Sequence, residues 1–197
     1  AGYTDIELSG GSKFYDEWLE DLLKLKAQFG LRYRCHNYFP PPQQNFVLNL
    51  SSQGDNFYQS LSHLKLAVDY SQLLGGGILG LHGGFRIDPK VDEIGKKISG
   101  RVLIDYDKAV SRFFDGFIQL ESYAKSKGIK LYIENNVFSA PNHDSFTGEN
   151  PFLFSHAEEI YTLQKIHEFN LLLDVAHLKV SCGSMKLDFS AQLQQLI

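Results

Sequence analysis

One leucine-rich run that ends in two potential metal ligands constrains this chain most. Leu171, Leu172 and Leu173 form an apolar strand-like run, yet Asp174 follows directly and His177 lies three residues further on. A strand-like run delivers such a residue at its C-terminal end four more times, at Glu7, His36, His82 and Glu134. Because an α/β barrel forms its active site at the C-terminal end of its parallel strands, the pattern predicts that architecture and a site at that end.

Between these runs, apolar residues recur at the spacing of helices. Four helices are predicted, around Trp18, Leu64, Phe117 and Ile160, with Ser155 and Glu158 as a capping box for the fourth. Residues 83–100 and 135–151 are predicted to be long loops, and Asp188 or Ser190 is expected to cap a last helix. Strands that alternate with helices favour a parallel sheet, here in a single domain over residues 1–197.

An open, doubly wound sheet is an alternative, but no Gly-x-Gly-x-x-Gly follows the first strand. A closed (β/α)₈ TIM barrel typically needs about 250 residues. With 197 residues and five strands, the chain is therefore predicted to be an incomplete barrel whose wall has a gap.

Composition narrows the class of protein. Apolar residues make up 43% of the chain and the net charge is −4, which is typical of a globular domain and disfavours a broad nucleic-acid-binding surface. No apolar run of about 18 residues is present, so no membrane span is expected. Two cysteines do not make a disulfide framework, which favours a cytoplasmic location. The chain begins at Ala1 rather than Met, so a preceding segment stays possible.

The strand-end residues are candidate metal ligands and catalytic groups. Burying a carboxylate is costly unless it is paired or bound to metal, so Glu134 and Asp174 are predicted to be ligands. His82 and His36 are predicted to join them, and Glu134, His177 and His82 to act in catalysis. The alternatives stay open: Asp174 can cap the next segment, His177 can be a loop residue, and His82 can be a satisfied histidine at a strand end.

Other residues near these motifs are candidates for binding substrate. Asn136 can orient substrate hydroxyls, or belong to a helix cap, and Tyr38 can form an apolar wall for a sugar ring, or be a core aromatic. Glu7 can contact substrate or form a salt bridge in the barrel mouth. Arg86 and Lys179, the basic residues identified close to the motifs, can hold a phosphate or a carboxylate. His63, His156 and His167, on predicted helices, are expected at the surface.

Taken in order, the motifs resemble the xylose isomerase-like barrel superfamily, which joins sugar phosphate isomerases and epimerases to the endonuclease IV family. The resemblance extends over nearly the whole chain and rests on short motifs at Glu7, His36, His82, Glu134 and Asp174–His177. It implies that the chain begins near the second strand of the barrel and ends after the sixth, without counterparts of strand 1 and strands 7–8.

The two branches of this superfamily imply different sites. The isomerase and epimerase branch implies one divalent metal, Mn, Zn, Mg or Co, held here by Glu134 and Asp174, with further ligands on the absent strands and His177 contacting substrate. The endonuclease branch implies three zinc ions. Five residues match ligand positions there: His36, His82, Glu134, Asp174 and His177. The expected function is a metal-dependent sugar or sugar-phosphate isomerase or epimerase. The alternatives are a zinc phosphodiesterase acting on abasic DNA and a non-catalytic relative. A small sugar is the expected partner, nucleic acid is not, and a homo-oligomer is possible.

Overall fold

The computed structural model describes residues 2–10 and 13–197 and contains a parallel sheet of five strands. The strands follow one another in chain order, each paired with the next. They are β1 (Asp5–Leu8), β2 (Arg32–His36), β3 (Ile78–His82), β4 (Lys130–Glu134) and β5 (Asn170–Leu172). The predicted α/β architecture with one strand before each ligand-type residue is confirmed.

Seven helices accompany the strands in the described part of the chain. They are α1 (Trp18–Phe29), α2 (Asp55–Leu73), α3 (Tyr106–Ser126), α4 (Ala140–Ser145), α5 (Ala157–Ile166), α6 (Val175–Met185) and α7 (Phe189–Leu196), with a 3₁₀ turn at Val91–Glu93. Helix α3 begins where the Asp105 carboxylate accepts a hydrogen bond from the Lys108 N–H, and it buries Phe113 and Phe117 against the strands. The carboxylate of Asp188 caps α7 in the same way, as expected.

The sheet is open. β1 and β5 each pair with one neighbour only, and no bridge joins them within the described residues. The expected gap in the barrel wall is therefore present. Leu171, Leu172 and Leu173 are only half-buried, because β5 lies at an edge of the open sheet.

Four local predictions need correction. The Ser155 N–H donates to Glu159, not to Glu158, because α5 begins one residue later than predicted. The two long loops contain the 3₁₀ turn and α4, and α6 was not predicted at all. His63 was expected at the surface but is buried in α2, where its ring packs edge-on against Phe46. His156 and His167 flank α5 and are half-buried.

Both cysteines, Cys35 and Cys182, are buried free thiols. None of the helices in the described part of the chain is long and apolar enough to cross a membrane.

Candidate metal centre

Five side chains meet at the carboxyl edge of the sheet and form what we call the donor cluster. Its members are His36, His82, Glu134, Asp174 and His177. They meet because parallel strands place their C-terminal ends along one edge: His82 pairs directly with Glu134 across β3 and β4, and His36 pairs with Gly80 on β3. Two subsets, each containing Glu134, have ligand atoms within 4.8 Å of one another.

Glu134 is the centre of this cluster. Its Oε2 lies 2.5 Å from His36 Nε2 and 3.7 Å from His82 Nε2, and its Oε1 lies 3.4 Å from His177 Nδ1. Burial would raise the pKa of the Glu134 carboxyl, but the adjacent histidines outweigh it and hold this pKa below its ordinary value. Glu134 is therefore ionised at neutral pH.

The position of the His36 ring depends on a glycine in the neighbouring strand. A Cβ added at Gly80 would lie 2.6 Å from His36 Cδ2 and 3.3 Å from its Nε2, so only glycine leaves room for the ring. His36 Nε2 and Glu134 Oε2 are both buried and have no aligned hydrogen-bond partner among the described residues. A cation bound between these two atoms would satisfy both of them.

Asp174 and His177 are fixed by the first turn of α6 and by Asn135. Asp174 Oδ1 accepts a hydrogen bond from the His177 N–H at 2.8 Å, which caps the helix. The Asn135 side-chain amide donates a hydrogen bond to the Asp174 carbonyl and accepts one from the Asp174 N–H. The backbone carbonyl of Asn135 lies 2.8 Å from His177 Nδ1. If that nitrogen carries the proton, His177 Nε2 keeps its lone pair and faces Asp174 Oδ2 at 3.7 Å.

His82 is a neutral donor at physiological pH. Burial lowers the pKa of His82 to about 4; His36 and His177 act in the same direction, and Glu134 opposes them. A neutral imidazole beside an ionised carboxylate can bind a divalent cation without first releasing a proton.

The cluster fits a divalent metal. Two ligands at about 2.1 Å from one tetrahedral ion lie about 3.4 Å apart, close to the 3.7 Å separation of Glu134 Oε2 from His82 Nε2. The 2.5 Å separation of His36 Nε2 from Glu134 Oε2 is shorter and would have to open by roughly 0.9 Å for both atoms to bind one such ion. Imidazole and carboxylate donors together suit Zn and Mn, and the set does not select one metal.

A cavity of about 370 Å³ opens beside the cluster. His82 and His177 line it on the side of the sheet, and the segments that follow β2, β3 and β4 form the rest of its wall. Phe85, Ile94, Ile98, Val137 and Phe152 make much of this wall apolar, while Asn37, Asn136, Ser139 and Asn142 supply polar groups. An apolar pocket with a few polar groups is typical of small-molecule sites.

The structure brings some of the predicted substrate-binding residues to this cavity. Asn136 and Tyr38 line it, although the Asn136 amide already donates to the carbonyls of Gly84 and Leu153. Glu7 lies next to the cluster, with Oε1 3.6 Å from His36 Nδ1, and is paired with Arg34.

Two residues that were predicted to bind substrate do not line this cavity. Arg86 is buried, and its guanidinium binds Glu149 at 2.7 Å and the carbonyls of Ile104 and Asn150. Its charge is therefore already matched inside the protein. Lys179 lies on the exposed side of α6, where its Nζ is 5.9 Å from the centre of the Phe189 ring.

Sequence reasoning missed three residues of the site. Gly80 makes room for His36, Asn135 holds Asp174, and Lys96 lines the cavity. The Asn135-Asn136 pair after Glu134 indicated amides at the site but not which amide is structural. Lys96 lies in a segment without a motif, and only the folded path of that segment shows where it goes.

The parallel sheet with a donor cluster at its carboxyl edge defines an α/β-barrel type of protein. Residues 1–192 match the family described as xylose isomerase-like TIM barrel, and the chain belongs to that family. No curated protein matches it.

Solved structures with the same fold include several with sugar-epimerase names. A D-tagatose 3-epimerase-like protein is 13% identical with a TM-score of 0.66, and the match covers all of this chain and 63% of that one. D-psicose 3-epimerase from Clostridium cellulolyticum, solved with D-tagatose, is 14% identical with a TM-score of 0.63, covering 98% and 60%. Endonuclease IV from Thermus thermophilus is 18% identical with a TM-score of 0.51, covering 90% and 55%. The chain thus spans less than two thirds of their length.

Proposed function

We propose that this chain carries the substrate cavity and part of the metal site of a divalent-metal-dependent sugar or sugar-phosphate isomerase or epimerase. The observation that carries the proposal is the donor cluster around ionised Glu134, which opens into a cavity of about 370 Å³. The family and the epimerases among the structural neighbours are consistent with it.

The cluster would divide its roles between binding and proton transfer. Glu134 and Asp174 are metal ligands in this proposal, and His36 and His82 are further donors to the same centre. A bound divalent metal would polarise a substrate carbonyl and its neighbouring hydroxyl and so acidify the adjacent C–H. Glu134 is the candidate base for that proton, because its two oxygens face different sides of the cluster.

His177 would bind substrate rather than metal. It lines the cavity, and its Nδ1 already contacts the Asn135 carbonyl, which fixes the ring. Its other nitrogen can then accept a hydrogen bond from a substrate hydroxyl. Tyr38, Asn136 and Glu7 would hold the rest of the sugar, with the aromatic ring against its apolar face.

Replacing Asp174 and His177 separately tests this division. The measurement is bound metal per chain, with turnover of candidate ketohexoses, in the longest natural form of the protein, because this chain spans 63% of the first neighbour. Asp174→Asn is preferred to Asp174→Ala, since the amide oxygen can still cap α6 while the charge is lost. We expect Asp174→Asn to lose most metal and activity, and His177→Ala to lose activity while keeping more of the metal.

Two outcomes would count against the proposal. If metal per chain falls as far in His177→Ala as in Asp174→Asn, His177 is a ligand and its assigned role is wrong. If neither variant changes the metal content, Asp174 is not a ligand and the metal-enzyme proposal loses its main support.

A second candidate is a zinc phosphodiesterase similar to endonuclease IV. Its specific support is that the ligand-type residues form two subsets that share Glu134, as a site for more than one metal would. Clustered metals can activate water and stabilise a leaving oxygen. More than one zinc per chain, together with cleavage of a duplex that contains an abasic site, would favour this candidate over the isomerase.

A further inference from the structure

We propose that the two long segments after β3 and β4 form one rigid cap beside the donor cluster, and that Arg86 is the positioning residue that couples them. The cap is residues 84–104, the first segment, and residues 136–154, the second segment. Both segments line the cavity beside the donor cluster. The proposal rests on the proposed function, because the position of the cap would then set the position of the bound substrate.

The cap has a hydrophobic core of its own, separate from the core between the sheet and its helices. Two side chains of the first segment and three of the second form it: Ile87, Ile98, Phe138, Phe146 and Phe152. Each of them is at most 6% exposed. If one segment moved without the other, these side chains would lose their contacts and apolar surface would meet water. The two segments are therefore expected to move as one unit.

Backbone pairing joins the two segments where they leave the sheet. Phe85 and Phe152 form an antiparallel bridge, and beside it the Arg86 N–H donates to the Pro151 carbonyl at 2.7 Å. The rings of Phe85 and Phe152 meet edge-on, 5.6 Å between centres, and both line the cavity beside the donor cluster. Arg86, the next residue, lines a second cavity of about 250 Å³ instead.

The Arg86 side chain ties three points of the cap together. Its Nε donates to the Ile104 carbonyl at 3.0 Å, at the end of the first segment. Its Nη1 donates to the Asn150 carbonyl at 3.0 Å and its Nη2 to Glu149 Oε1 at 2.7 Å, both in the second segment. Arg86 is only 9% exposed, so removing it would leave acceptors that water replaces poorly.

Arg86 would act on substrate through the cavity wall and not through the metal ligands. It does not line the cavity beside the donor cluster, and its bonds reach neither Glu134 nor Asp174. Its loss should therefore release the wall and leave the metal ligands in place. A wall that is fixed before binding loses little order when a ligand enters. A displacement of about 1 Å near a reacting centre can cost about 100-fold.

The test compares Arg86→Lys with Arg101→Lys. Lysine keeps the charge but replaces the planar fork by one nitrogen, which cannot reach all three partners of Arg86. Arg101 is the matched control: it binds Glu93 at 2.7 Å and the Asp88 carbonyl at 3.1 Å, but these partners lie within the first segment. The readouts are amide hydrogen exchange of each segment, bound metal per chain, and the Kd of the metal-loaded protein for D-fructose by calorimetry.

We expect Arg86→Lys to raise amide exchange in both segments together, by about 10-fold for each hydrogen bond lost. It should raise the Kd for D-fructose by about 10- to 100-fold and leave bound metal per chain unchanged. Arg101→Lys should raise exchange in the first segment alone. A rise in only one segment of Arg86→Lys, or in neither, would overturn the coupling. An unchanged Kd, or a loss of metal as large as the loss of D-fructose binding, would overturn the positioning role.

Chemical rescue gives a readout that general destabilisation would not. Because Arg86 lines the second cavity, added guanidinium can enter the space that Arg86→Ala leaves. Well below denaturing concentrations, it should restore most of the D-fructose affinity of Arg86→Ala, and it should not change that of the wild-type protein. A lack of rescue in an Arg86→Ala protein that still binds metal would refute the role of the guanidinium; if this variant does not fold, Arg86→Lys decides.

The exchange measurement separates this proposal from the proposed function, because it needs neither substrate nor turnover. If the wild-type protein does not bind D-fructose but exchange in Arg86→Lys rises in both segments together, the coupled cap stands and the isomerase proposal alone fails. If exchange rises in one segment or in neither, the coupling by Arg86 is refuted whether or not D-fructose binds.

Discussion

Replacing Gly80 with alanine would test whether the position of His36 controls the donor cluster. The added Cβ would lie 2.6 Å from His36 Cδ2, and ordinary contact begins at 3.4 Å. The ring would therefore have to retreat by roughly 0.8 Å, more than the tolerance of about 0.5 Å within which functional groups must be held. The Leu172 side chain lies 3.3 Å from the same Cβ, so the added methyl group cannot shift towards Leu172 to avoid the His36 ring.

We expect Gly80→Ala to weaken metal binding and to lower kcat/KM by about 100-fold, the cost of a displacement near 1 Å at a reacting centre. Overpacking should cost about 1 to 3 kcal/mol of folding stability, partly offset because alanine is less flexible than glycine in the unfolded chain. The assays are metal titration and steady-state kinetics, with urea denaturation to measure stability. Gly77→Ala is the control, because its Cβ would meet nothing within 4 Å. Wild-type metal affinity in Gly80→Ala would refute the reasoning.

Two further predictions concern stability. Arg101 and hydrogen bonds from two backbone N–H groups lower the pKa of the Glu93 carboxyl well below its ordinary value. Its stabilising effect is therefore fully present above the ordinary pKa near 4.5, declines as pH falls below that value and is lost only as pH falls through the lowered pKa of the folded state. Glu93→Gln should therefore cost about 1 to 3 kcal/mol at pH 7 and less at pH 3, where part of the effect is lost, as measured by urea denaturation at both pH values; an equal cost at both would contradict the assignment. Ile133→Ala should cost about 2 to 5 kcal/mol because the side chain is fully buried, whereas Ile118→Ala, at a 47% exposed position, should cost far less.

The sequence predicted the strands and the donor cluster because both depend on local patterns. Each strand is a short apolar run that ends in a ligand-type residue, and parallel pairing alone then brings those ends together. The register of His82 opposite Glu134 needs no long-range information beyond that pairing. Helices with strong apolar spacing, such as α3, were equally predictable.

The remaining features depend on neighbours that are distant in sequence. Arg86 was predicted to be a candidate for binding an anion, but it binds Glu149, which is 63 residues away in the sequence. No local sequence pattern indicates such a pair. His63 lies on a predicted helix, and its burial follows from the aromatic residue of the preceding loop, Phe46, that packs against it. The half-burial of β5 likewise follows from its place at the sheet edge rather than from its leucines.

Asp174 shows why two interpretations of a strand-end carboxylate need not exclude each other. One oxygen caps α6 through the His177 N–H, so the structural alternative is correct as far as that atom goes. The same hydrogen bond fixes the carboxylate, and Asn135 holds the Asp174 backbone. The second carboxylate oxygen faces His177 Nε2, and Asp174 belongs with Glu134 and His177 to one group of potential metal ligands. A helix cap and a metal ligand place the same demand on the chain, which is a carboxylate held rigidly at the start of a helix. The cap therefore supplies the rigidity that a metal ligand at this position requires.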